Sequence, residues 1–475
     1  MDRTLGSALS TRLLLMAGLV FALNLAARPH TLQNDWALAR LAQENGLVGP
    51  AEASFNRLAA SQPWREDLWL SAGRYALQAE HWESALRLFA QVDTTLLTAA
   101  DWLAMGDAHQ ALNQDSQAIQ AWQRSLSFEN SFTAHARLYD AHRQQGNIPA
   151  SLAELQSMHR LHPNEAGLVY LLAISLAAFQ PGDSLAFLEQ ASTADEAVQK
   201  KLEILNQKLR FALQADSQAE QFLASGQALA ELQEWPLAAQ AFRLAVDANP
   251  EYAEAWAYMG ESRQHLDPPE IDTALADLRR ALRLNPNSVA GNSMLALYWQ
   301  RRGDLESATI FFRVTAGLEP HNPAWFAALG GLASAQGDLV GAEEYYLHAI
   351  DLAPQKAVYQ RLLSGFYLIN QVQITEKALP AALKAVQLDP TDPANLDILG
   401  QVHLLLGDIP NAQSFFLQAQ QLEPGFAQAH LHLGMVYLFQ GQGDLAYDHL
   451  QLAKDLAADP ATSAQAQRLL SYYFP

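Results

Sequence analysis

Residues 323–356 read PAWFAALGGLASAQGDLVGAEEYYLHAIDLAPQK. Phe326, Leu329, Gly330 and Ala333 recur at spacings of three, one and three, which sets them on one face of a helix. Gly337-Asp338 makes a turn. A second helical run then carries Ala342, Tyr346 and Ala349 before Pro354 stops it. Gly330 and Ala342 are small where the two helices must approach closely, and Phe326 and Tyr346 fill the wider gaps. The unit is therefore a helix–turn–helix that cannot bury its apolar face alone.

Working outward, prolines fall at 250, 286, 320, 354, 390, 424 and 460, always 34 or 36 residues apart. The same frame recurs at 219–252 (Phe222, Gly226, Ala238, Phe242, Ala245), at 289–322 (Leu295, Trp299, Ala308, Phe312) and at 393–426 (Leu396, Leu399, Gly400, Ala412, Phe416). It continues at 427–460 (Leu433, Gly434, Tyr437, Ala446, Ala453). Segments 253–288 and 357–392 carry two extra residues between their helices. Toward the N-terminus the frame returns at 32–65, 66–98 (Trp69, Gly73, Ala85, Phe89) and 99–131 (Trp102, Gly106, Ala118, Trp122), and more faintly at 132–165. A fixed period of this length marks a repeat array.

This pattern resembles the tetratricopeptide repeat, and the resemblance covers about nine-tenths of the chain. It implies an all-α fold, an α-solenoid of about twelve repeats. The expected organisation is an N-terminal segment at 1–31, a first array at 32–165, a degenerate repeat and joining helix at 166–218, a second array of seven repeats at 219–460, and a capping helix at 461–475.

Composition narrows the function. Half of the 475 residues are hydrophobic, which suits a folded chain. Fifty acidic against thirty basic side chains leave a net charge of −20, so nucleic acid is a poor candidate partner. With no cysteine, disulfides, thiolate metal sites and a cysteine nucleophile are excluded. The run LLLMAGLVFALNLAA, residues 13–27, is about 22 Å long as a helix, short of a ~30 Å hydrocarbon core. It reads as a single-span membrane anchor, a cleaved signal or an ordinary buried helix. The flanking arginines tie, and the terminal amine alone favours a cytoplasmic N-terminus with the array on the extracytoplasmic side.

Chemistry is sparse. No phosphate-binding loop or nucleophile elbow occurs. His430 and His432 lie on different sides of a helix, His159 and His162 lack a third ligand, and Glu343-Glu344 reads as a solvated face. The chain is expected to be no enzyme, with no cofactor and no metal.

The resemblance implies a concave groove lined by first helices that receives a segment of a partner protein. Family lining positions map onto Ala324, Ala327, Gly331 and Ser334; Val358, Arg361, Gly365 and Leu368; Ala394, Asp397, Gln401 and Leu404; and Gln428, Leu431, Met435 and Leu438. The lining is small and apolar. The ninth position carries no asparagine, which argues against the carboxylate-clamping subclass of the family. Separately, Arg279, Arg280, Arg283, Arg301 and Arg302 could dock an acidic partner segment or pair locally with Asp272, Asp277, Asp304 and Glu306. The leading function is a non-enzymatic interaction scaffold, with a homo-oligomer as the other way to cover the groove. An alternative is an accessory subunit of a membrane-associated envelope polysaccharide or assembly system.

Overall fold

Three hairpins between residues 289 and 426 are set by two residues at the turn. Gly303, Gly337 and Gly407 take the left-handed conformation (φ +76, +81 and +78°) that ends a first helix. The aspartate that follows each, Asp304, Asp338 and Asp408, accepts from the backbone N–H three residues on and so caps the second helix. A computed structural model describes residues 32–191 and 195–475. The proposed membrane segment, residues 13–27, lies outside the described residues. Among the described residues every regular element is helical, and no helix is long and apolar enough to cross a membrane.

The described chain divides into two compact units, up to Ala241 and from Phe242 onward. The first contains the pairs Glu66–Gln78 with Trp82–Phe89, Ala99–Ala111 with Asp115–Phe128, and Phe132–Gln144 with Ile148–Leu161. Ala166–Phe179 and Pro181–Gln190 follow as a pair joined through Gln180 alone, and then Glu196–Ala212 packs on Gln218–Glu231.

The second unit contains the pairs Ala253–Arg263 with Ile271–Leu284, Val289–Arg301 with Leu305–Leu318, Pro323–Ala335 with Leu339–Leu352, and Ala357–Asn370 with Leu379–Leu388. It ends in Pro393–Leu405 with Ile409–Leu422, Ala427–Phe439 with Gly443–Leu456, and the closing helix Pro460–Tyr473. The extra residues of 357–392 form a π-helical turn, Ile374–Ala378, between the two helices. First helices of successive pairs pack on one another, as Ala357–Asn370 does on Pro393–Leu405, which makes them one face of the stack.

Packing explains the small residues. A Cβ on Gly400 would stand 2.5 Å from the Phe416 ring, and one on Gly106 2.3 Å from Trp122. Both aromatic rings are fully buried. A polar side chain near the start of several first helices also reaches back six residues to close the preceding loop. Trp256 Nε1 donates to the Pro250 carbonyl (2.8 Å) and Asn292 Nδ2 to that of Pro286 (2.9 Å). These contacts satisfy loop carbonyls just beyond the end of the preceding helix.

Candidate functional site

Four first helices of the second unit, Pro323–Ala335, Ala357–Asn370, Pro393–Leu405 and Ala427–Phe439, carry the expected lining. They enclose an open cleft of about 510 Å³. Gly331 and Ser334 enter from the first, Arg361, Leu362, Gly365, Ile369 and Asn370 from the second, Ala394, Asp397 and Ile398 from the third, and Gln428 from the fourth. Tyr346 and Phe366 also line it.

The structure thus brings Gly331, Ser334, Arg361, Gly365, Ala394, Asp397 and Gln428 together and places the other expected lining residues elsewhere. Ala327 is 8% exposed and packs with Leu363 and Phe366. Leu368 belongs to the same core, and Leu404 packs against the cluster around Phe416 and Leu433. Leu431 is 3% exposed, in a cluster with Leu450, Ala466 and Leu470. Met435 and Leu438 pack against that cluster too, so the closing helix Pro460–Tyr473 covers the end of the expected groove. These are corrections to the lining. Ala327 and Leu431, at the fifth position, are buried against the neighbouring helices, and Leu368, Leu404 and Leu438, at the twelfth, pack into the clusters of the hairpins.

The same geometry gives the charged and amide side chains of the cleft partners within the array. Arg361 pairs with Asp392 and donates to Asn395 Oδ1 (3.0 Å). Asp397, 4% exposed, meets His432 Nδ1 at 2.6 Å and accepts from Gln401 Nε2 at 2.7 Å. Asn370 donates to Ser334 Oγ (2.9 Å), and Gln428 to Asp459 (3.2 Å). Residues that the lining positions missed are Leu362, 38% exposed, and Ile369, 81% exposed, which form the lip. An apolar residue at an otherwise solvated helix position is the sequence signal that could have found them.

The arginine cluster splits. Arg301 pairs with Glu261, and Arg302 lies over the Tyr298 ring at 5.3 Å. Burial pushes the Glu261 carboxyl up, but hydrogen bonds from His265 and Arg301 bring it below its usual range. Arg279, Arg280 and Arg283 are exposed on the second helix Ile271–Leu284, and no ion pair involves them among the described residues. The expected local pairs do not form. Asp277 instead stands 2.7 Å from Arg263 Nε, without hydrogen-bond alignment, and burial raises its carboxyl to about 6.

Two other sequence candidates are accounted for by packing. Glu343 is no solvated residue, since it accepts from Tyr367 OH (2.8 Å) and pairs with Lys377 of the next repeat. His430 meets the Pro424 carbonyl (3.0 Å) and His449, whereas His432 turns to Asp397.

Helix pairs with aromatic side chains seated on small residues, stacked through their first helices, define the class. The chain folds as an all-α array of helix–turn–helix repeats, the architecture that its sequence resemblance to the tetratricopeptide repeat implied. No family model matches it. It is similar to the human mitochondrial import receptor subunit TOM70, at 23% identity over 233 residues, 48% of this chain and 37% of that protein. A stretch of 188 residues is 26% identical to the human protein O-mannosyl-transferase TMTC1, covering 38% of this chain and 21% of that one. The chain thus spans about a third or less of the length of these curated relatives. Among solved structures, yeast Tom70 aligns at 15% identity over 79% of this chain and 95% of its own, with a TM-score of 0.38. A tetratricopeptide repeat protein from Parabacteroides merdae aligns at 12% identity over 54% and 99%, with a TM-score of 0.45.

Proposed function

We propose that this protein is a non-enzymatic scaffold that holds a segment of a partner protein in the cleft between residues 331 and 428. The observation that carries this is the exposed apolar lip, Ile369 with Leu362, beside an open cleft whose charged and amide side chains are already partnered. Apolar surface buried there contributes about 25 cal/mol per Å², and no unpaired charge has to be desolvated. Binding should therefore change little with salt, since no exposed ion pair has to form. The segment at 13–27 would tether or export the array. Capture of the partner from solubilised membranes, compared between the parent chain and Ile369→Glu, tests the proposal. Equal recovery of every partner by both chains would remove the cleft from consideration and leave Arg279, Arg280 and Arg283 as the next surface to test.

A further inference from the structure

Glycine is the poorest helix former after proline, so a glycine in the middle of a helix calls for a reason. For several helical glycines of this chain the reason is contact, as at Gly73, Gly106, Gly260, Gly330, Gly434 and, against Phe416, Gly400. Gly331 and Gly365 have no such reason. A Cβ on Gly331 would meet only the Tyr346 hydroxyl, at 3.5 Å, and one on Gly365 only Ile398 Cδ1, at 3.8 Å, both ordinary contact distances. Neither has the left-handed φ that would require glycine. Both occupy the ninth position of consecutive repeats, and both line the cleft. Larger residues stand at this position in the pairs on either side, Leu297 before them and Gln401 after.

We propose that the two glycines keep open a pocket for one aromatic side chain of the bound partner segment, an inference that rests on the cleft being the binding surface. The absent side chains leave room above Tyr346 and Phe366. Charge complementarity selects the occupant. Arg361 is paired with Asp392, and Asp397 is held by contacts with His432 and Gln401, so a charged side chain would find no unpartnered counter-charge there. The apolar walls, Leu362, Ile369 and Ile398, favour a large uncharged ring, whose flat faces bury much area at low entropy cost. Tyr346 OH, with no side-chain hydrogen-bond partner among the described residues, would meet the polar atom of a tryptophan or tyrosine.

A phage-displayed random peptide library, selected on the full-length chain in mild detergent, provides the test. Expected are peptides sharing an aromatic residue, whose affinity falls at least tenfold with Gly365→Leu and with Ile369→Glu. Gly365→Leu should at the same time melt no lower than the parent, because it lengthens no buried contact. Peptides that need Ile369 but share no aromatic residue, or that bind Gly365→Leu as tightly as the parent, would overturn the pocket and leave the cleft standing. No selected binder, or binders indifferent to Ile369→Glu, would overturn the cleft and the pocket together.

Discussion

The same substitution, glycine to alanine, should have opposite effects at Gly365 and Gly400, two positions in adjacent first helices. At Gly365 the new methyl meets only Ile398 at 3.8 Å, so the change keeps every contact and removes the backbone freedom that glycine has in the unfolded chain. The expected gain is about 0.5–1 kcal/mol. At Gly400 the methyl would stand 2.5 and 2.7 Å from two ring atoms of Phe416. That ring is fully buried among Leu433, Val436 and Ala412, so it cannot swing away. Overpacking of this kind costs about 1–3 kcal/mol, and the helix-propensity gain offsets about 1 of it, which leaves a net loss of up to about 2 kcal/mol. A long repeat array need not unfold in one step, so a single melting temperature would blur the comparison. Hydrogen exchange read on peptides from Ala357–Asn370 and Pro393–Leu405 reports each helix separately. Protection should rise in the first helix with Gly365→Ala and fall in the second with Gly400→Ala. Equal signs would refute the assignment of one glycine to the cleft and the other to packing.

Other substitutions separate the lip from the core. Leu431→Glu places a carboxylate under the closing helix, where Leu450 and Leu470 surround it, and should cost about 3–5 kcal/mol in protection of Pro460–Tyr473. Ile369→Glu, at a side chain 81% exposed, should leave exchange within about 0.5 kcal/mol of the parent, and a large loss there would mean that Ile369 is packed. Asp277 gives a pH dependence. Its native carboxyl takes a proton near pH 6 and its unfolded one near 3.9, so the native state gains stability as pH falls through 6, and that gain is lost above it. Asp277→Asn should therefore compare more favourably with the parent at pH 7.5 than at pH 4, by about 1–2 kcal/mol once solvent near the site is allowed for. A gap independent of pH would show that the carboxyl is not raised.

The repeat was legible in the sequence because its cause is local. Helix period, turn glycine and terminating proline all act within one 34-residue unit, as Gly330, Gly337, Tyr346 and Pro354 do in 323–356. The cleft was legible only in part. Gly331 and Gly365 could be placed by repeat position, but Arg361 meets Asp392, the N-cap of the next first helix, and Asp397 meets His432 of the next repeat, 31 and 35 residues away. Register alone carries no information about which side chains meet across a repeat boundary. The covering of Leu431 likewise depends on where the closing helix packs, a tertiary contact that no periodicity predicts.

These polar contacts also bear on the binding role proposed for the cleft. Stability in a repeat array comes from each unit and its interface with the next. Here part of that interface is polar and lies along the cleft wall, through the ion pair of Arg361 with Asp392 and the contact of Asp397 with His432. Charge spent on joining neighbours is unavailable for a ligand, so specificity in this cleft falls to shape. Shape in turn is controlled at the ninth position, where a single methyl group narrows the space above Tyr346. A chain that needed only stability would carry alanine at 331 and 365. That it carries glycine at both, with room for more, sets helix stability against an open pocket, and the opposed signs expected at Gly365 and Gly400 measure that trade directly.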